Sequence, residues 1–248
     1  MPVSQDTLVD GRWVQTAVLG QGRPVVVFES GLGAGLTAWD QVFPKVAAFT
    51  TAFVYSRPGY GSSEWSNTPR TGAVVVEELR ATLRKRGLAP PYLLVGHSLG
   101  GLYLQLFARL HPDEVAGLVL VDSSHPTQMA GWRPPQTFWG MAVGLYMTGT
   151  RGREYQGLNT TGQEVLAAPP FVGKPVIILS AGRDPSAPGA TDRSPDQLRR
   201  LDLARLYPGS RQVWVDTGHN IQRLCPEVVI AAIHEMLEAV TPLPDPLP

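Results

Sequence analysis

Residues 92–103 read Tyr-Leu-Leu-Val-Gly-His-Ser-Leu-Gly-Gly-Leu-Tyr, an apolar strand-like run, a small-residue corner and an apolar helix-like run. No other stretch constrains the fold as tightly. A strand that turns at once into a helix is the repeating unit of a sheet with helices packed on its faces. The corner is Gly96-His97-Ser98-Leu99-Gly100, a G-x-S-x-G pattern in the strand–turn–helix setting of a nucleophile elbow. The two outer glycines leave room where strand and helix press together, and Gly101 lets the helix approach closely. Ser98 is pushed out at the C-terminal edge of the sheet, beside helix N-terminal N–H groups that favour a developing oxyanion.

The rest of the chain alternates in the same way. Strands are expected at residues 8–9 and 12–19, around the hairpin signal Asp10-Gly11, and at 24–30, 51–55, 92–95, 115–121, 174–180 and 212–215. Helices are expected at 38–48, 72–86, 99–110, 194–207, with Ser194-Pro195 at its start, and 227–240. The unbroken apolar runs Val25-Val26-Val27-Phe28 and Val176-Ile177-Ile178-Leu179 suit strands covered on both faces. The expected fold class is α/β, a mainly parallel, doubly wound sheet of eight strands. A chain of 248 residues fits such a sheet as one unit.

Composition narrows the function. A formal net charge of zero gives no electrostatic footprint for nucleic acid. One cysteine, Cys225, excludes an intrachain disulfide and reads as an inert thiol at the start of an apolar helix. The first residues lack the basic and apolar regions of a secretory signal, and no apolar run approaches the roughly 18 residues of a membrane span. The expectation is a cytoplasmic enzyme acting on a small molecule.

One segment interrupts the alternation. Residues 123–171 lie between the sixth and seventh strands and are rich in Gly, Pro and aromatic residues. A connection this long is usually a lid or binding loop. Residues 125–171 are therefore read as a small helical cap, with helices at 135–147 and 163–168, on a core made of 1–124 and 172–248. Trp132, Phe138, Trp139 and Tyr146 are its expected pocket residues.

A serine nucleophile needs a base, and the base needs a carboxylate. Of five histidines, His219 alone stands in a loop directly after a late strand, in Asp216-Thr217-Gly218-His219-Asn220. Two aspartates follow strands and keep the chain order Ser, Asp, His: Asp184 after the seventh and Asp122 after the sixth. Asp184 is preferred because its strand is the later one, nearer in sequence to the histidine strand; Asp122 is the alternative. The backbone N–H groups of Leu32, in Gly31-Leu32-Gly33, and of Leu99 are the expected oxyanion donors.

Taken together, these residues resemble the α/β-hydrolase superfamily of esterases, epoxide hydrolases and C–C hydrolases. The resemblance runs from about Gly11 to Val240. It rests on Glu29-Ser30-Gly31-Leu32-Gly33, Trp39, 55–63 with Arg57-Pro58-Gly59-Tyr60-Gly61, the elbow, Ala181-Gly182-Arg183-Asp184 and Gly218-His219. The resemblance implies a Ser-His-Asp triad, a cap after strand six, and hydrolysis without metal or organic cofactor. Serine at the nucleophile position argues against the dehalogenase and epoxide-hydrolase branches, whose nucleophile is aspartate. Ser30-Gly31 stands where the family commonly has His-Gly. A carboxylic ester with an apolar acyl group is the leading substrate class. Amides, lactones, C–C bonds and acyl transfer to other nucleophiles use the same groups. A receptor without catalysis would have no need of all three triad candidates.

Overall fold

Eight strands form one sheet in the order β1-β2-β4-β3-β5-β6-β7-β8. They are β1 Gln5–Val9, β2 Arg12–Leu19, β3 Val25–Glu29, β4 Ala52–Tyr55, β5 Tyr92–His97, β6 Val115–Val121, β7 Val176–Ala181 and β8 Arg211–Val215. The computed structural model describes residues 4–129, 148–187 and 194–240. The β1–β2 hairpin and the β2–β4 pair are antiparallel, and every pair from β4 through β3 to β8 is parallel. The α/β sheet expected from the sequence is present, with eight strands.

Alternation along the buried strands explains the double winding, because successive side chains point to opposite faces. Val27, Leu94, Leu118 and Ile178 join one apolar cluster with Val75 and Leu79 of α2 (Gly72–Lys85) and Leu102 and Phe107 of α3 (Leu99–Leu110). Their neighbours Val26, Phe28, Leu93, Val95, Val119 and Ile177 join the other cluster. There they meet Trp39 and Phe43, the latter in α1 (Phe43–Val46).

The helix expected at 38–48 is two short pieces, a 3₁₀ turn at Leu36–Trp39 and then α1, whose first turn holds Pro44. Proline has no N–H to continue an earlier helix but suits a new first turn. The largest departure lies in the inserted segment. In place of a short helix at 163–168 there is α4, Gly149–Ala167, 19 residues packed against α2 and α3. Its glycines hid it, since each lowers helix propensity by about 1 kcal/mol. Two of them serve close approaches: a Cβ on Gly162 would lie 1.9 Å from the carbonyl oxygen of Pro126, and one on Gly157 2.3 Å from that of Arg70. The helix expected at 135–147, and Trp132, Phe138, Trp139 and Tyr146, lie outside the described residues.

The C-terminal part holds α5 (Pro195–Leu203), capped by Ser194 accepting from the Gln197 N–H, then α6 (Ile221–Leu224) and α7 (Pro226–Val240). Ile221 of α6 and Ile233 and Met236 of α7 complete the second cluster. Cys225, between α6 and α7, is half-buried. Among the described residues, no helix is long and apolar enough to cross a membrane.

Candidate active site

Ser98 sits between the last residue of β5 and the first of α3, with φ 54° and ψ −123°. Non-glycine residues rarely adopt positive φ, and such strain is sustained only where the surroundings impose it. Here they do. The Ser98 N–H donates to the Val121 carbonyl at 3.2 Å, and the Ser98 carbonyl accepts from the N–H groups of Ser124 (3.0 Å) and Leu102 (3.3 Å). A Cβ on Gly100 would stand 2.4 Å from the Glu29 carbonyl oxygen, so only glycine lets α3 start this close to the end of β3. Leu99 is the first residue of α3, and its N–H is one of the four at a helix start that have no partner within the helix.

His219, in the loop after β8, folds back over the sheet to the elbow. Its Nε2 lies 3.0 Å from Ser98 Oγ, and its Nδ1 lies 2.5 Å from Asp122 Oδ2. Asp122 directly follows β6, with φ 40°, a conformation aspartate tolerates better than most residues. Its N–H donates to the Leu179 carbonyl at 2.7 Å. The buried carboxylate also accepts from the Ala181 N–H (3.0 Å) and, in a two-pronged fork, from Arg200 Nε (2.6 Å) and Nη2 (2.9 Å). Burial disfavours the charge. Hydrogen bonds from Arg200, His219 and Ala181 outweigh it and hold the carboxyl well below the usual range.

Asp184, the preferred acid in the sequence reading, stands elsewhere. Its Oδ1 accepts from the Ser186 N–H (2.8 Å) and Oγ–H (2.6 Å), a local turn after β7. Arg183 beside it pairs with Asp216 at 3.0 Å. The strand order gives the reason for the correction. The loop of His219, after β8, must cross β7 and β6 to reach Ser98 at the end of β5, so its ring meets the strand next to β5. That strand is β6, which Asp122, the alternative acid of the sequence reading, directly follows.

Three supporting groups carry no sequence signal: Arg200, the Ala181 N–H and His97. The His97 Nε2–H donates to the carbonyl of His219 at 3.0 Å, so the histidine inside the elbow pins the loop of the histidine opposite it. Burial, reinforced by repulsion from His219, lowers His97 to about 4. The unfolded chain then takes up a proton near pH 6.5 while the folded chain resists until about pH 4. Stability contributed by neutral His97 is therefore present above that window and is lost as pH falls through it. Between pH 7 and pH 4.5 this group should account for about 2 kcal/mol of lost stability. His97→Gln, which keeps a donor for the His219 carbonyl, should reduce the fall in unfolding free energy, read from urea titrations over that range, by the same amount. An unchanged slope contradicts the assignment.

Beside Ser98, His219 and Asp122 is a cavity of about 310 Å³, whose described wall includes Ser123, Ser124, His125, Gln128, Arg199 and Arg200. On the other side, the Gly31-Leu32-Gly33 loop leans on the elbow. A Cβ on Gly31 would lie 2.9 Å from His97 Nδ1 and 3.2 Å from Ser98 Cβ. The Gly33 N–H is occupied, donating to Tyr60 Oη at 3.2 Å.

This strand order and this elbow have counterparts. A family model of the alpha/beta hydrolase fold matches residues 24–168, more than half of the chain. The chain belongs to the α/β-hydrolase fold family. Over 222 residues it is 25% identical to the uncharacterized protein YqjL of Bacillus subtilis (strain 168), covering 88% of this chain and 85% of that one. Over 113 residues it is 34% identical to the pimeloyl-(acyl-carrier protein) methyl ester esterase of Klebsiella pneumoniae (strain 342), covering 45% of this chain. The chain spans less than half the length of several curated relatives it matches, 40% in the case of that esterase. Among solved structures, the enol-lactonase from Burkholderia xenovorans LB400 superposes with a TM-score of 0.66 over 94% of this α/β hydrolase and 100% of the lactonase, at 18% identity.

Proposed function

We propose that this α/β hydrolase cleaves small-molecule carboxylic esters through an acyl-enzyme on Ser98, with His219 as general base and Asp122 as the triad acid. The observation that carries this reading is the continuous relay from Ser98 Oγ through both ring nitrogens of His219 to Asp122, at 3.0 and 2.5 Å. The buried carboxylate accepts the Nδ1–H of His219, which leaves the lone pair of Nε2 facing the serine. The serine hydroxyl attacks the ester carbonyl as Nε2 takes its proton. The N–H groups of Leu32 and Leu99 donate to the oxyanion. His219 returns the proton to the departing alcohol, and water repeats the sequence to release the acid. These steps require only side chains and backbone.

The wall beside Ser98 carries hydroxyl, amide and guanidinium groups, which favours an ester bearing a polar group on that side over the ester with an apolar acyl group expected from the sequence. One relative is by name a methyl ester esterase, which supports an ester as the substrate.

A fluorophosphonate should add its phosphonyl mass to the peptide containing Ser98 and abolish hydrolysis of p-nitrophenyl esters in proportion to labelling. An unlabelled wild type, or a label on another serine, overturns the reading.

A further inference from the structure

The loop that carries Leu32 is fastened by a buried guanidinium. Arg57 lies just after β4, with 1% of its side chain exposed. All five of its N–H groups have acceptors. Nη1 donates to the Ser30 carbonyl (2.5 Å) and to Glu29 Oε1 (2.6 Å); Nη2 donates to the Gly31 carbonyl (2.9 Å) and to Glu154 Oε2 (3.0 Å); Nε donates to Glu154 Oε1 (2.7 Å). Glu154 is fully buried and comes from α4, in the inserted segment. Tyr60 closes the circuit, donating to Glu154 Oε2 at 2.9 Å while accepting the Gly33 N–H. Burial, aided by the Glu154 charge, pushes the Tyr60 hydroxyl up to about 12, so it keeps the proton it donates.

The consequence follows from peptide geometry. The Gly31 carbonyl and the Leu32 N–H belong to one planar trans unit and point in opposite directions. Holding the carbonyl on Arg57 therefore aims the N–H away from Arg57. The bond at Gly33 fixes the other side of Leu32. A buried ion pair is a poor way merely to fasten a helix, since well-packed apolar groups do this as well or better. Its directional strength suits the aiming of a dipole.

We infer that Arg57 and Glu154, with Tyr60, are positioning residues that aim the Leu32 N–H at the developing oxyanion, so that helix α4 is a built-in part of the oxyanion site. This rests on the Ser98 chemistry proposed above.

Tyr60→Phe and Glu154→Gln change little volume. Each should lower kcat for a p-nitrophenyl ester about tenfold to a hundredfold, as a displaced oxyanion donor does. KM should stay within about twofold, and the pH midpoint of kcat/KM should not move, because His219 and Asp122 are untouched. Amide exchange across residues 30–34 should accelerate in Tyr60→Phe, which frees the Gly33 N–H. Tyr60→Phe carries the test if Glu154→Gln does not fold. A folded Tyr60→Phe with wild-type kcat and wild-type exchange overturns the inference, while fluorophosphonate labelling of the wild type at Ser98 leaves the esterase reading standing. A wild type that is not labelled overturns that reading and the oxyanion role with it, whatever the loop's exchange.

Discussion

Ser98→Ala should lower kcat on the order of 10⁶-fold while the protein remains folded. The size of the loss reflects what is removed. On the mechanism proposed above, without Oγ there is no acyl-enzyme, and the two remaining members of the relay have no proton to move. What survives is the modest acceleration from the oxyanion donors and from binding alone. The fold should be indifferent to the change, because the bonds that hold the elbow are made by the backbone of residue 98 and not by its hydroxyl. His219, with 48% of its side chain exposed, can return its Nε2 to water. Ser98→Gly sharpens the test. At φ 54° glycine is unstrained, so the inactive variant should melt above the wild type. That result would reveal backbone strain held for catalysis at the cost of stability. A Ser98→Ala protein that turns over ester at a tenth of the wild-type rate ends the nucleophile assignment.

The centre of the sheet was legible because its strands are continuous apolar runs bounded by Gly, Pro and polar residues, so a local window was enough. The elbow was legible because its steric demand is met by glycines within a few residues of the serine. His219 was legible as the histidine standing directly after a strand. Beyond that, the information is not local. Asp122 and Asp184 look alike in sequence, each following a buried strand. Only the lateral order of strands decides between them, and proximity along the chain favoured the wrong one for contact with His219. Helix α4 was half missed because glycines that permit close packing also erase helical propensity. The Arg57–Glu154 bond joins residues 97 apart, and the His97–His219 bond residues 122 apart. No periodicity records pairings of that kind. Arg57 and Tyr60 were read as family marks, without the role that their contacts give them.

Asp122→Asn should lower kcat by about 10⁴-fold, and Asp184→Asn should leave it within about twofold. The first effect is a matter of tautomers. The carboxylate accepts the Nδ1–H of His219 on Oδ2, while Oδ1 is committed to Arg200 Nε and the Ala181 N–H. An asparagine would keep its oxygen on the Oδ1 side, where both partners are donors that cannot switch role, and so turn its amide N–H groups toward His219, giving up the bond that Arg200 Nη2 makes to Oδ2. The ring then accepts on Nδ1 and carries its proton on Nε2, facing a serine it can no longer deprotonate. Arg200, with 23% of its side chain exposed, loses a charged partner but can reach water, so the variant should fold with reduced stability. The acid limb offers an independent check. A carboxyl held below its unfolded value contributes stability that is present above about pH 4 and is lost as pH falls further. Asp122→Asn should therefore unfold less steeply with acid below that point than the wild type. Among the described residues the carboxylate of Asp184 bonds to Ser186, so Asp184→Asn should disturb that local turn. Steady-state kinetics of the two variants, with melting curves to establish folding, decide the matter. A large loss in Asp184→Asn beside an active Asp122→Asn would mean that the relay between His219 and Asp122 is not the one that carries the proton.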